Sequence, residues 1–428
     1  MLDFNIPYLL LVIAVSAIPL FFIFRTKDFQ SRFFFSVIVF FVFFYCGFGA
    51  ALNNANYEYI NYYVIYFLVL WLTIKLVKIK VRPFNINKEH NLEENIKRVG
   101  VFVISFYTLL NLSNLFFPEF LLNRLFNPPS PDLRSQMDII FNTQTVTRSP
   151  MESVIYYLFQ LVLPFYFWAL YLFKDNIIKL FFIVIFNDYI EYCAHAYLAR
   201  SIIFVSMLII GIAYYSSLSE KARKKFIIGV IISIPLIGYA FFQYSLLRAG
   251  DTASRMSMSE ANQALIYQEI SYPLQYDDYK NFFNIGYFQN YIEWILALPL
   301  PGFMKSVTQN FNQLFSVELL GVSQLDKNFY VLLPGLVGES LFICGKYFFI
   351  FHAMFLGFIL KVSYLFLRKS KTFIFLFYYC AFYFSFDLCR GGTVSIYPFV
   401  FKHLVIFALF AYFVFSKKYY RNANRFRR

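Results

Sequence analysis

Hydrophobic runs of roughly twenty residues recur along almost the whole chain, and short polar or basic segments separate them. A helix rises about 1.5 Å per residue, so about 20 apolar residues cross the hydrocarbon core of a bilayer. The pattern therefore predicts an all-α polytopic membrane protein with about eleven transmembrane helices. Their predicted ranges are 6–24, 33–52, 62–77, 99–117, 152–173, 178–196, 201–217, 226–246, 347–366, 372–388 and 396–416.

Two of the segments between these runs are long. The first is 118–150, rich in Pro, Asn and Ser, and the second is 247–346. The second contains two amphipathic or partly buried stretches, 282–304 and 328–345, which either lie on or dip into the outer leaflet or span the membrane. If both span, the number of helices rises to about thirteen. We therefore divide the chain into helices 1–8 (1–246), one large outer loop (247–346), and helices 9–11 with a basic tail (347–428).

The charge distribution predicts the orientation. The net charge is +14, and only 14% of the residues are charged. If the helices alternate, the basic clusters all fall on one side, which the positive-inside rule makes cytoplasmic. The N-terminus is then periplasmic and the C-terminus cytoplasmic. The clusters lie at 25–32, 75–98, 174–179, 221–225, 368–371 and 417–428.

Several classes of function lack support in the sequence. The basic residues sit in short loops, so we expect membrane lipids and no nucleic acid as partners. No positive region precedes the first apolar run, so we interpret it as a retained helix and not a cleaved signal peptide. The five cysteines and four histidines show no metal-ligand spacing, so we expect no metal and no cofactor.

Four arginines break the charge rule because they lie at the predicted outer face: Arg200, Arg248, Arg255 and Arg390. A guanidinium group is a planar fork suited to phosphate, and ionisable groups at membrane depth usually face a cavity or a partner. We therefore predict that these arginines bind a pyrophosphate group. The simpler alternatives are that Arg200 ends a helix at the interface, and that Arg390 only pairs with Asp387.

Acidic and titratable residues lie at the same predicted depth. Glu339 follows two glycines in an apolar stretch, and we expect it to be a base or an acceptor-orienting carboxylate. His195 and Asp387 are the further catalytic candidates. His195 shares one helical face with Asp188 and Glu191, which alternatively pair with Arg200 or Lys179. A packed, non-catalytic role for His195 also stays open.

The layout of the chain combines about a dozen predicted helices, one dominant late outer loop, and an arginine in a short outer turn, Ala199-Arg200-Ser201. A glycine–glutamate segment, Gly335–Gly345, closes the large loop, and Gly211 follows Arg200 by eleven residues. In these features the chain resembles the Wzy-type O-antigen polymerases, which join oligosaccharide repeat units in bacterial surface polysaccharides.

The resemblance implies a GT-C-like helical bundle in the bacterial inner membrane. It implies inverting, metal-independent transfer of a glycan from undecaprenyl pyrophosphate onto a second lipid-linked repeat unit. A separate chain-length co-polymerase would be a partner. Two other functions stay open: an O-antigen ligase, which uses the same donor, and, in a different class, a flippase for lipid-linked oligosaccharides. The long outer loop and the lack of two similar halves favour the enzyme over the flippase.

Overall fold

The computed structural model describes residues 5–52, 56–79, 90–113, 121–130, 150–196, 198–249, 281, 283–300, 311–321 and 333–415. Every regular element within these ranges is a helix. The α-helices are α1 Ile6–Arg25, α2 Phe29–Val42, α3 Gly49–Leu52, α4 Tyr57–Leu76, α5 His90–Ser113, α6 Leu121–Phe126, α7 Pro150–Tyr171, α8 Ile177–His195, α9 Arg200–Ser217, α10 Glu220–Ala249, α11 Ile285–Ala297, α12 Phe311–Leu320, α13 Gly335–Leu367, α14 Ile374–Pro398 and α15 Val405–Phe415. Phe43–Phe48 and Phe399–Leu404 are π-helices, and Lys371–Phe373 is a 3-10 helix.

Within those ranges, six helical stretches are long and apolar enough to cross a membrane. They are Ile6–Arg25, Phe29–Ala51, Tyr57–Leu76, Ile96–Ser113, Gly335–Leu367 and Lys371–Phe413. Two shorter apolar helices are Tyr157–Tyr171 and Ser201–Ser217. The predicted all-α, multi-pass character is therefore confirmed. The full set of eleven spans, the periplasmic loop and the orientation stay predictions.

Polar residues fix where several of the apolar helices begin. The side chains of Asn5, Asp28 and Asn56 accept hydrogen bonds from backbone N–H groups in the first turns of α1, α2 and α4. The first N–H groups of a helix have no partner inside it, so such a cap stabilises the start. The predicted start of the third span at 62 thus moves to Tyr57, next to its cap.

α13 reverses direction at Gly345, which has φ 65° and ψ −178°. The Ser340 hydroxyl donates to the Phe349 carbonyl over 3.4 Å. In an unbroken helix, nine residues separate two atoms by about 13 Å along the axis. Residues 335–344 therefore form a first limb that folds back on a second limb, 346–367. The first limb is about 15 Å long, which is about half of the hydrocarbon thickness.

α14 reverses in the same way at Gly392, which has φ 68° and ψ −159°. The Tyr383 hydroxyl donates to the Ser395 carbonyl over 3.0 Å, although twelve residues separate them. Farther from the reversal, the rings of Phe373 and Phe407 pack 5.2 Å apart. The first limb, 374–391, and the chain from 393 through α15 therefore form an antiparallel helical hairpin. This agrees with the two separate helices predicted at 372–388 and 396–416.

The chain forms two compact units that do not follow its linear order. Unit 1 comprises Met1–Ile86, Leu265–Phe373 and Tyr379–Arg428, and unit 2 comprises Asn87–Ala264 with Ile374–Tyr378. In unit 1, α13 packs closely on α4, because a Cβ at Gly357 would lie 2.9 Å from the Leu70 carbonyl oxygen. In unit 2, α5 packs on α7, and the rings of Tyr107 and Tyr166 stack 4.0 Å apart.

Candidate functional site

Glu339 lies at the centre of a buried polar cluster in unit 1. It is on the first limb of α13, and only 1% of the residue is exposed. Its Oε2 accepts a hydrogen bond from the Thr393 backbone N–H at 2.5 Å. Its Oε1 accepts from the Val394 N–H and from the Thr393 hydroxyl, both at 3.0 Å. A buried carboxylate needs such partners, because an unpaired charge in an apolar interior is very costly.

The reversal of α14 supplies these donors. The chain beyond Gly392 starts a new helical limb, and its first N–H groups have no intrahelical partner. They point at Glu339, whose negative charge also suits the positive end of a helix dipole. A Cβ at Gly392 would overlap the Glu339 carboxylate, and the positive φ also disfavours any other residue. The carboxylate of Glu339 therefore depends on the turn for its hydrogen-bond donors, and its position requires glycine at 392.

The reversal of α13 brings His352 to the same place. Thirteen residues separate His352 from Glu339, which is about 20 Å along an unbroken helix. In the folded-back arrangement the His352 Nε2 lies 3.7 Å from the Glu339 Oε2. Both side chains are almost completely buried. The two ionisable groups thus meet only because Gly345 breaks the helix.

Tyrosines from two further helices extend the cluster, and Tyr397 on α14 is an electrostatic neighbour of Glu339. The Tyr66 hydroxyl on α4 lies 2.9 Å from the His352 Nδ1. The Tyr291 hydroxyl on α11 forms a very short hydrogen bond with the Thr393 hydroxyl, and it lies 3.3 Å from the His352 Nε2. Elements from four helices therefore converge on Glu339 and its partners: α4, α11, α13 and α14.

Arg390 and Asp387 lie just before the reversal of α14. Arg390 is half-buried, with its guanidinium 5.1 Å from the centre of the Phe386 ring, and it is an electrostatic neighbour of Asp387. Thr393, which binds Glu339, follows Arg390 by three residues. The structure thus joins the glycine–glutamate segment to the arginine-bearing turn. It does not place Asp387 among the hydrogen-bond partners found for Glu339.

The other predicted site residues belong to unit 2 or lie outside the described residues. His195 ends α8, Arg200 begins α9, and Arg248 is the penultimate residue of α10. The structure describes their backbone only, and Arg255 lies outside the described ranges. Convergence of the four arginines therefore stays a prediction.

Asp188 and Glu191 lie on α8 in unit 2, where both are half-buried. Asp188 accepts a hydrogen bond from Ser206 on α9, and Glu191 is an electrostatic neighbour of Asp188 and of Tyr107. Over the ranges described above, no group of three or more His, Cys, Asp and Glu side chains is arranged to hold a metal ion.

Sequence reasoning missed His352, Tyr66, Tyr291 and Thr393. His352 and Tyr66 lie in apolar helices with no polar residue next to them, and Tyr291 lies in a segment that was predicted only as an apolar part of the large outer loop. A signal existed for Thr393, because Gly391-Gly392 before it indicates a break in an apolar run, and a break exposes backbone donors. Comparison with protein-family models, with curated proteins and with solved structures finds no match to this chain.

Proposed function

We propose that this chain is an oligosaccharide repeat-unit polymerase, an inverting glycosyltransferase of the bacterial inner membrane. Its donor and acceptor would both be glycans linked to undecaprenyl pyrophosphate, presented at the periplasmic face. A chain-length co-polymerase would be its partner, and the bundle would be GT-C-like. The proposal assigns the role of general base, which orients the acceptor, to Glu339, and binding of the donor pyrophosphate to Arg390.

One observation carries this proposal. Glu339 binds the backbone of Thr393 and Val394, directly after the reversal at Gly392, and Arg390 lies two residues before that reversal. Transfer of a glycan from a pyrophosphate requires a base for the acceptor hydroxyl and a cation for the leaving pyrophosphate. Glu339 and Arg390 are the candidates for these two roles, and their chain segments are in contact. Ionisable groups inside an apolar bundle of membrane helices are costly in free energy, and they usually mark a functional site.

The transfer step would proceed as follows. The oxygen of the acceptor hydroxyl forms a bond to the anomeric carbon of the donor, and the bond from that carbon to the pyrophosphate oxygen breaks. The lipid pyrophosphate leaves with the electron pair, and the Arg390 guanidinium stabilises the charge that develops on it. The hydroxyl proton passes to Glu339. A carboxylate offers about four acceptor positions, and donors among the described residues occupy three of them, which leaves one on Oε2 within that part of the chain.

Arg200, Arg248 and Arg255 keep their predicted role as further pyrophosphate ligands within this proposal. His195 and Asp387 are reserve candidates for the acid–base step. Because the proposed step uses no metal, cationic side chains carry the electrostatic stabilisation.

The test is the lipopolysaccharide ladder of a deletion strain that expresses variants of the chain. We expect Glu339→Gln and Arg390→Ala to reduce long glycan ladders to a single repeat unit. Matched controls are Glu58→Gln, which removes a partly exposed carboxylate paired with Lys346, and Arg223→Ala, which removes a guanidinium bonded to carbonyls of α9. Normal ladders in the two site variants, at normal expression, would refute the assignment.

The same strain separates the alternatives. Loss of a polymerase leaves one repeat unit on the lipid A core, whereas loss of a ligase leaves none. A flippase stays a candidate because helices broken at membrane depth, with half-helix ends directed at an ion or substrate, are typical of transporters. Loss of a flippase would strand undecaprenyl-linked repeat units on the cytoplasmic leaflet.

A further inference from the structure

The hydrogen positions in the Glu339 cluster follow from counting donors. The Thr393 hydroxyl has one proton, and it donates that proton to the Glu339 Oε1 at 3.0 Å. In the short contact between Thr393 and Tyr291, the donor must therefore be Tyr291. The single proton of the Tyr291 hydroxyl is then also committed.

The count extends to His352. Its Nε2 lies 3.3 Å from the Tyr291 oxygen, 3.4 Å from the Thr393 oxygen and 3.7 Å from the Glu339 Oε2. All three atoms can only accept, because their protons are used elsewhere or absent. A ring nitrogen that faces acceptors alone must itself carry a proton. The Nδ1 of the neutral ring is then unprotonated, and Tyr66 donates to it at 2.9 Å.

We infer that His352 is a positioning residue for Glu339, held in the tautomer that carries its proton on Nε2 by the three acceptor oxygens around that nitrogen, while Tyr66 donates to Nδ1. Hydrogen bonds then run in one direction, from Tyr66 through His352, Tyr291 and Thr393 to the carboxylate. Such chains polarise one another, so each bond strengthens the next in a site of low dielectric constant. The chain saturates Oε1 and leaves the last acceptor position on Oε2 to the acceptor hydroxyl.

The opposite tautomer would break this chain. A proton on Nδ1 would leave the lone pair of Nε2 facing three oxygen atoms that have no proton to give. The repulsion would push the ring or Tyr291 away, and Thr393 would lose its orientation toward Glu339. The three oxygen atoms around Nε2 thus select the tautomer, and Tyr66 matches it by donating to Nδ1. The catalytic consequence rests on the proposed function, while the tautomer itself does not.

The first measurement is the ¹⁵N NMR spectrum of purified protein labelled at histidine, with His352 assigned by its loss in His352→Gln. We expect the His352 pair of signals to show a protonated Nε2 and an unprotonated Nδ1. Tyr66→Phe should keep the proton on Nε2, because the three oxygen atoms around that nitrogen are unchanged. A protonated Nδ1, in the unmodified protein or in Tyr66→Phe, would overturn the inference.

The second measurement is polymerisation of lipid-linked repeat units by the purified protein. We expect Tyr66→Phe to lower kcat about tenfold with KM unchanged, as is usual for loss of an orienting partner. His352→Gln, which keeps a donor near the Nε2 position, should retain more activity than His352→Leu. Equal activity of these two variants, or a normal kcat in Tyr66→Phe, would overturn the positioning role.

The matched control is Tyr63→Phe. Tyr63 lies one turn before Tyr66 on α4, is fully buried, and bonds to the Ser16 hydroxyl instead of the cluster. It should keep the kcat of the unmodified protein. If the unmodified protein forms no polymer at all, the proposed function fails, and the NMR result still decides the tautomer.

Discussion

The two units each bury acidic side chains among apolar helices, and they do so in different ways. In unit 1, Glu339 meets two interrupted helices and receives two backbone N–H bonds together with the Thr393 hydroxyl. In unit 2, Asp188 and Glu191 lie on the continuous helix α8, where Ser206 is the hydrogen-bonding partner found for Asp188 among the described residues. A continuous helix uses its own N–H groups, so it has none to offer a buried charge.

The comparison shows what a helix break contributes. Backbone donors at a helix start are held in place by the fold, and they gain little freedom when their acceptor is lost. Side-chain donors such as Ser206 rotate and re-pair more easily. The carboxylate in unit 1 should therefore be far more sensitive to substitution than those in unit 2. Four experiments test this difference, and we order them from the largest expected effect to the smallest.

Gly392→Ala should be the most damaging change. The new methyl group would overlap the Glu339 carboxylate, and the positive φ adds strain, so we expect a loss of about 3 kcal/mol or more in stability. Thermal unfolding in detergent, followed by size-exclusion chromatography, measures the effect. Gly238→Ala on α10 is the control, because nothing lies within 4 Å of its Cβ position. Equal unfolding midpoints for the two variants would contradict the close contact between Gly392 and the Glu339 carboxylate.

Glu339→Gln should cost about 2–4 kcal/mol in stability, because an amide NH₂ replaces one acceptor oxygen and faces a backbone N–H. Glu191→Gln makes the same chemical change in unit 2 and should cost less than about 1 kcal/mol, since no backbone N–H is found bonded to Glu191 among the described residues and a neutral amide removes the repulsion from Asp188. Unfolding midpoints of the two variants give the comparison directly. If Glu191→Gln proves as costly as Glu339→Gln, the break confers no special sensitivity.

Gly345→Ala probes the other reversal in unit 1. The φ of Gly345 is 65°, and an added Cβ would lie 2.8–3.0 Å from the ring of Phe283. Strain and crowding should together lower the stability by about 2 kcal/mol. In the double variant Gly345→Ala, Phe283→Ala, the stability lost through crowding should be recovered and the stability lost through backbone strain should not. Unfolding midpoints of the single and double variants measure this. No recovery in the double variant would show that Phe283 does not limit the space at this turn.

Single hydroxyl and amide groups should give the smallest effects. Thr393→Val removes the hydroxyl that bonds to Glu339, and Asn187→Leu removes the amide that bonds to Thr108 and the Ile183 carbonyl. Hydrogen bonds between membrane helices contribute about 0.6 kcal/mol on average and up to about 1.7 kcal/mol. We expect Thr393→Val near the upper value and Asn187→Leu near the average, by the same unfolding assay. Thr393→Ser is the control, and its stability should stay close to that of the unmodified protein. A larger loss of stability in Asn187→Leu than in Thr393→Val would contradict the difference between the two units.

Much of the fold was predictable because it depends on local pattern. Long apolar runs predicted most of the helices that the structure shows, within a few residues at most ends. The first limb of α13, residues 335–344, was not predicted to pack against the second limb. It is too short for its hydrophobic pattern to predict a transmembrane helix. The position of Glu339 beside two glycines did point to a tight turn, but the turn that holds it, at Gly392, lies 53 residues farther along the chain.

The sequence by itself determined that this protein is a bundle of apolar helices with charges confined to short segments, and it drew attention to Glu339 and Arg390. Periodicity and composition act over one helix, so they report on one helix at a time. Only the tertiary structure decided that His352, Tyr66, Tyr291 and Thr393 surround Glu339. Those contacts join residues up to 286 positions apart, from Tyr66 to His352. They arise because two glycines reverse two helices, and a reversal leaves backbone donors that a buried carboxylate can use.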